Sequence, residues 1–543
     1  MVFARRSTTL LAAIIASCAM VLSLTACTSD NKTVVDGQTT VTSNSAGGVA
    51  VFTPSDGITL NQQVPLNKWA KLVPDLTKAL VDAGFKKGDI NHTTSDSLDK
   101  QSRAIQDFVV DHLSNNTTDD SGIAIAPDNM TLLVAPVVEA DASTRQYGDY
   151  ISQNLSTNDA TDEGATSDGE SSEDDSSKDD SSNTESDSTA SDEQAQAVDR
   201  LVSSLKLAKE SGMHVVLLGN SIEGYKPDAF VKFSDAQTIG KLQAEKMVSK
   251  LKLDKASKDN PKYIEVLLPY TAMDEKGNAN DSTFAQEAFR GIWQVLGSYY
   301  QKGVVESPSG TLDGKSTEND WQAVAYDAAK EGSTAKVLDK RLAKTDGQST
   351  LTRIDGIITM NDYIASEVVK ELDDLGYTGS AADINPQITI SGIVGNITGK
   401  KDLSRDAVPD PIKSPENDNA NDSSSSDDDA DEDTSASDKD RDSQWPLVTG
   451  YGAYVSNIPS IVNGKQWMTG MEDRQTIATD IAQACAKLNK DEALNSMPSI
   501  RNSEVGGVKK IPTISEPLLA VSASNLKSAL IDPGYISLAD AGL

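Results

Sequence analysis

Along most of the chain, short unbroken apolar runs alternate with longer stretches whose apolar residues recur every three or four positions. The short runs lie at 48–53, 122–126, 215–219, 263–268, 354–359, 388–394 and 446–450. A half-exposed strand would alternate apolar and polar side chains, so unbroken runs of this length predict strands buried on both faces of a parallel sheet. The periodic stretches predict helices over 69–83, 101–113, 198–211, 238–251, 283–301, 321–342 and 365–375. Strand followed by helix, repeated, predicts βαβ units and a doubly wound α/β fold. The chain is too long for a single core, so two Rossmann-like lobes are expected.

In open α/β sheets, ligands sit outside the carboxyl ends of the strands. The positions just after the expected strands hold Pro54, Ser55 and Asp56; Pro127 and Asp128; Asn220 and Ser221; Asn361 and Asp362; and Tyr451. Polar side chains recur there, although turn residues are polar at strand ends in any case.

Two stretches break the pattern. Residues 157–195 and 416–442 contain no Val, Ile, Leu, Met or aromatic residue and carry net charges of −13 and −10. Such segments bury too little apolar surface to offset the entropy of ordering them, so both read as disordered acidic insertions. They also reinterpret the formal net charge of −33, most of which belongs to them and not to the lobes. Asp429, Asp431 and Asp433 have the spacing that opens a calcium-binding EF-hand loop, but Thr434 stands where that loop needs Gly and no helical pattern flanks it. A solvated loop is the simpler reading.

The amino-terminal stretch has a third character. Arg5 and Arg6 precede an apolar run from Leu10 to Ala26, too short for a standard spanning helix and ending in small residues, as secretory signals do. Leu24-Thr25-Ala26-Cys27 resembles the lipobox of bacterial lipoproteins, in which cleavage leaves a lipidated cysteine; an uncleaved membrane anchor is the rival. Both place the remainder outside the cytoplasm. The polar residues 28–47 read as a flexible tether. Of three cysteines, Cys18 leaves with the signal and Cys27 takes the lipid, so Cys485, on an amphipathic helical stretch, reads as a buried core thiol.

Four motifs then carry a resemblance. FVKFSDAQTIGKLQA at 230–244 is similar to the first interlobe crossing of type I periplasmic sugar-binding proteins of ABC importers, in the xylose and multiple-monosaccharide branch. The stretch 69–84 after a strand and a Pro-Ser turn, GIITMNDYIASEVVKELDDLG at 356–376, and 446–478 with its VTG strand and IPSIVNGKQWMTG resemble that branch too, as does the ending SALIDPGYISLADAGL. The resemblance implies a periplasmic binding protein type I fold, two lobes joined by a three-segment hinge and closing around a sugar. With the signal peptide at 1–26 and the tether at 27–47 read above, it implies an N-terminal lobe at 48–233, a C-terminal lobe at 234–450, a return to the N-terminal lobe at 451–469, and the C-terminal lobe again at 470–543. Carried over residue by residue, it implies ligand contacts from Lys68 (in place of an Arg), Trp69, Asn220, Asp235 (in place of an Asn), Asn361, Asp362 and Tyr451, to which the strand-end position Asp128 is added as a candidate. Rings cover the apolar faces of a sugar while planar polar groups take its hydroxyls. The chain departs from the branch at Asn220-Ser221, where it has Asp-Arg, at Tyr451-Gly452, where it has Gln-Asp, at Glu472, where Lys is common, and at Ser282-Thr283-Phe284.

Rival readings at single positions are a core Trp for Trp69 and a helix cap for Asn361-Asp362. Among function classes, nucleic acid is disfavoured by the acid excess, and a structural metal by three scattered His and no paired Cys. An enzyme is disfavoured because Gly-x-Ser-x-Gly, His-Glu-x-x-His and glycine-rich nucleotide fingerprints are absent. No cofactor is implied. The expectation is a monomeric, lipid-anchored solute-binding protein with a small carbohydrate ligand and an ABC permease as partners. Its rival is a surface lipoprotein with the same fold and a divergent cleft, acting as a sensor or interaction module without transport.

Overall fold

The apolar runs become strands because both of their faces are covered. This is seen in a computed structural model of the protein, which describes residues 33–35, 38–40, 46–56, 65–115, 126–138, 144–157, 185–273, 280–343, 351–382 and 444–543. Residues 1–44 and 45–543 form separate units. In the first, Thr33–Val35 pairs antiparallel with Gln38–Thr40. The second is a two-lobed α/β structure.

Its N-terminal lobe is built on β1 (Gly48–Pro54), β2 (Ile90–Ser95), β3 (Met130–Val134), β4 (His214–Leu218) and β5 (Ala229–Lys232), parallel in the order β2-β1-β3-β4-β5. Successive side chains alternate between faces. Val49, Val51, Leu133, Val216 and Leu218 pack under α1 (Trp69–Asp82), against Leu72, Leu76 and Leu80. Ala50, Phe52, Leu132, Val134 and Leu217 pack on the other face, against Ile105 and Val109 of α2 (Leu98–Asn115) and Leu201 and Leu205 of α3 (Glu185–Glu210).

After a crossing at Phe233–Ala236 the C-terminal lobe follows, with α4 (Ala236–Lys250), β6 (Lys262–Val266), α5 (Thr283–Gln301), β7 (Val305–Glu306), α6 (Ser333–Arg341), β8 (Gly356–Ile358), α7 (Asp362–Leu375) and β9 (Leu447–Thr449). Its sheet runs β7-β6-β8-β9, again parallel. Ile264, Val266 and Ile358 face α4 and α5, whereas Ile357 and Val448 face α6 and α7. Helices α4 and α5 touch backbone to backbone. A Cβ at Gly240 would stand 2.2 Å from the Ala288 carbonyl oxygen, and one at Gly291 2.0 Å from that of Gln237.

The last segment completes both lobes: β10 (Met468–Met471), α8 (Arg474–Leu488), β11 (Ile500–Val505), β12 (Val508–Ser515) and β13 (Leu519–Ser522). β12 pairs parallel to β5 and antiparallel to β11, widening the N-terminal sheet to seven strands among the described residues. β10 pairs with β13 and joins the end of β9 through a Tyr451–Gly470 bridge. Two Rossmann-like lobes joined by three crossings are therefore the fold, as expected.

Several local expectations are corrected. The assignment after residue 450 is exchanged: 451–471 stays with the C-terminal lobe, 474–515 belongs to the N-terminal lobe, and 519–543 packs with β10. The reason lies in the apolar face of α8. Ile477, Ile481 and Cys485 complete the core under α1, so this helix goes where that core is open. The expected helix over 321–342 is broken into Trp321–Val324, a short strand Ala325–Tyr326, and α6, which starts after Gly332 at φ +70°. The expected strand at 122–126 falls almost wholly outside the described residues, and the neighbouring fully buried run Met130–Val134 occupies that place in the sheet. Of the acidic tract expected to be disordered over 157–195, the part from Glu185 on belongs to α3, where Ala, Gln and Glu favour helix, and residues 158–184 lie outside the described residues. The tract at 416–442, the strand at 388–394, the signal segment and Cys27 lie outside the described residues. No helix among the described residues is long and apolar enough to cross a membrane. Cys485 is buried, and desolvation raises its thiol far above its ordinary range, as befits a core residue.

Candidate functional site

Loops following the carboxyl ends of the two sheets meet between the lobes, and the groups that fill this region come from both. On the N-terminal side, α1 starts without a cap from its own Lys68. Asp149, 80 residues away, supplies it: Trp69 N donates to Asp149 Oδ2 at 3.0 Å and Lys68 Nζ to Oδ1 at 2.7 Å. Asp56, after β1, lies beside them. Burial first, and the Asp149 charge second, push its carboxyl up to about 6. Trp69 is buried behind this group, edge-on to Tyr150 at 5.1 Å and to Phe233 at 5.6 Å, so the core reading of this residue matches its surroundings. Asn220 is buried as a spacer, accepting from Gln153 N and donating to the Pro136 carbonyl, both at 2.9 Å.

On the C-terminal side, Asn361 caps α7 through Ile364 N at 2.9 Å. Asp362 is fully buried, and its two oxygens accept from Gln466 Nε2 at 2.7 Å, Thr469 Oγ1 at 2.8 Å and Tyr454 N at 2.9 Å. Burial raises its carboxyl to about 6 against these donors. Gly450 makes room for it, because a Cβ there would stand 2.2 Å from Asp362 Oδ1. Both oxygens of Asp362 are thus engaged by its own chain.

The hinge carries a second buried carboxylate. Glu472, on the second crossing, accepts from the amide (2.7 Å) and the hydroxyl of Ser234 on the first crossing. The Tyr451 hydroxyl lies 2.5 Å from Ser234 Oγ and 3.4 Å from Glu472 Oε1. Burial raises Glu472 to about 7 and Tyr451 well above the usual phenol range. Beside this knot, Asp235 caps α4, accepting from Thr238 N at 2.8 Å and pairing with Lys232 at 2.9 Å. Desolvation opposes its ionisation, but Thr238 and Lys232 outweigh it and hold its carboxyl below the usual range.

Of the expected site residues, Lys68, Trp69, Asn220, Asp235, Asn361, Asp362 and Tyr451 therefore all lie on the interlobe side of their lobes or at the hinge, most of them with their polar atoms already bonded. Asp128 does not. It sits in the turn Pro127–Asn129 before β3, at the amino end of the sheet, because the strand runs later than the sequence pattern suggested. A surface cavity of about 570 Å³ lined by His214, Asp228, Asp491 and Asn502 opens at that same amino end, away from the carboxyl ends where such folds bind ligands.

Residues that sequence reasoning passed over are Gln146, Tyr147, Asp149, Tyr150 and Ser234. The first four belong to RQYGDY at 145–150, a short aromatic-rich piece without periodicity that precedes the acidic tract. Two tyrosines within four residues of a polar loop were the available signal.

No protein-family profile matches the chain, and no curated protein matches it. Among solved structures, it is similar to an ABC transporter solute-binding protein from Clostridium phytofermentans with bound β-D-glucose, at 16% identity over 91% of this chain and 99% of that one, TM-score 0.44. It is also similar to a carbohydrate transporter solute-binding protein from Chloroflexus aurantiacus in complex with D-glucose, at 17% identity over 92% and 98%, TM-score 0.43. A solute-binding protein from Bacillus halodurans with bound myo-inositol matches at 11% identity over 90% and 98%, TM-score 0.36.

Proposed function

We propose that the protein is an extracytoplasmic solute-binding lipoprotein. It is anchored through lipid on Cys27, captures a small polar ligand, a sugar first among them, between its lobes, and delivers it as a monomer to an ABC permease. The observation that carries this reading is the pair of parallel α/β lobes whose carboxyl-end loops meet across three crossings, a geometry made for hinge closure around a ligand. The partly accessible trio Asp56, Lys68 and Asp149 supplies charged donors and acceptors suited to sugar hydroxyls. The protein is read as a binding protein and not an enzyme. Calorimetric titration of the folded protein with monosaccharides, beginning with glucose and myo-inositol, tests the reading, and heat signals saturating at one ligand per chain are expected. Metabolic labelling with a fatty acid, lost in Cys27→Ser, tests the anchor.

A second reading, a lobed surface lipoprotein acting as a sensor or interaction module without transport, is favoured by one specific feature. Asp362, which the resemblance would place on a sugar, is consumed by internal hydrogen bonds, and Glu472, standing where a Lys is common, is likewise consumed by Ser234. Silence across the sugar panel from a folded protein would favour it.

A further inference from the structure

The segment 144–157 enters from the N-terminal lobe, after β3, yet Gln146 and Tyr147 make their contacts with the other lobe. Gln146 Oε1 accepts from Asn361 Nδ2 at 3.1 Å, and its backbone oxygen accepts from Tyr454 Oη at 2.7 Å. The Tyr147 ring lies 4.7 Å from Phe284, at the start of α5, and 6.2 Å from Tyr451, after β9. That ring is 1% exposed, and its hydroxyl faces Asn361 without a well-formed hydrogen bond. The next residues turn back. Gly148, at φ +94°, reverses the chain against Asn67, whose carbonyl oxygen would stand 2.5 Å from a Cβ there. Asp149 N then donates to Asn67 O at 2.8 Å, and Tyr150 Oη to Lys68 O at 2.6 Å, in the N-terminal lobe. Gln146 and Tyr147 are thus handed to the C-terminal lobe, and Asp149 and Tyr150 to the N-terminal lobe, at the place where the carboxyl ends of both sheets converge.

We infer that this segment is a built-in occupant of the interlobe cleft, with Tyr147 as its plug. Resting on the binding reading above, the inference is that a ligand gains the cleft only when Tyr147 leaves the space between Phe284 and Tyr451. The segment then sets both the apparent affinity and the size of ligand accepted. A protein whose competent state is a minor one binds more weakly by the fraction that is open. Against the C-terminal lobe the plug is held by the Tyr147 aromatic contacts, the packing of Ile151 in the same core and the two Gln146 hydrogen bonds, a local set that can release while the sheets stay folded.

Hydrogen exchange without any ligand tests this on the full chain. Tyr147→Ala is expected to speed exchange of the Tyr147 and Asp149 amides by about tenfold or more while β1, β3 and β4 keep their protection. Tyr147→Phe, which keeps the ring, should match the parent. Unchanged exchange over 144–157 in a folded Tyr147→Ala protein overturns the inference. Should that variant fail to fold, Gln146→Ala is read in its place, with faster exchange supporting the plug and unchanged exchange overturning it. Glucose and myo-inositol are then titrated against parent and variant. Binding that tightens by about tenfold, or appears only in Tyr147→Ala, supports the plug. Equal affinity in both proteins overturns it. Faster exchange with binding in neither protein supports the plug and counts against the sugar reading, so the two failures are told apart.

Discussion

The two walls of the cleft treat their charges differently. On the C-terminal wall and hinge, Asp362 and Glu472 are at most 1% exposed, and their donors come from the protein's own Gln466, Thr469, Tyr454 and Ser234. On the N-terminal wall, Lys68 and Asp149 keep 17% and 20% of their side-chain surface open, and Asp56 joins them. A buried carboxylate with its acceptors filled serves architecture, since detaching any one donor leaves a desolvated polar group behind. An accessible ion pair is weak as a stabiliser but free to exchange partners. On the binding reading proposed above, the N-terminal wall would supply the ligand chemistry, while the C-terminal wall fixes the shape against which a ligand would close.

Four substitutions put that contrast at risk. The largest expected effect is at Trp69. Removing a ring packed against Tyr150 and Phe233 should cost about 3–5 kcal/mol in urea denaturation. A Trp69→Ala protein of unchanged stability that lost sugar binding would return this residue to the cleft surface. Next is Asp362→Ala, which strands three donors in the core and should cost about 3 kcal/mol. Full stability with lost affinity would reverse the assignment of the C-terminal wall.

Glu472→Gln probes the hinge through pH. Its folded carboxyl, near 7, lies above the ordinary 4.5, so the folded state holds its proton more tightly than the unfolded one. That contribution to stability is fully present below about pH 4.5 and is lost as the pH rises through about 7. The Gln variant, which cannot ionise, should lack this slope and gain on the order of 2 kcal/mol relative to the parent at pH 8, read from denaturant midpoints. Asp362 contributes a slope of the same sign in both proteins, since its folded carboxyl is also raised, so only the difference reports Glu472. Smallest in stability is Lys68→Met, at about 1 kcal/mol or less for a partly exposed pair. The same change should produce the clearest loss of ligand affinity by calorimetry, and an unaltered affinity would remove the N-terminal wall from the site.

Much of this fold was legible in the sequence. Runs such as 215–219 and 446–450 have no polar face, so they had to be covered on both sides, and the periodic stretches between them supplied the cover. The start of α5 at Thr283 and the interlobe crossing near Ser234 followed from pattern and resemblance. Less visible was which of two adjacent apolar runs would enter the sheet, and the choice of Met130–Val134 moved Asp128 to the wrong end for a ligand. Also hidden was the destination of α8, whose apolar face fits any open core and whose place was decided by the vacancy under α1.

Local pattern thus determined the α/β class, most strands and helices, and the set of polar residues at strand ends, because burial on a sheet face leaves a period that can be read one residue at a time. Tertiary structure alone decided whether those polar residues face a ligand or one another. Asp362 meets Gln466 and Thr469 about a hundred positions downstream, and Glu472 meets Ser234 across 238 positions. Tyr147 meets Phe284 and Tyr451 only because the fold brings these distant residues to the same point in space. Hydrogen-bond partners at such separations leave no period in the chain, since nothing but the folded path brings them within 3 Å.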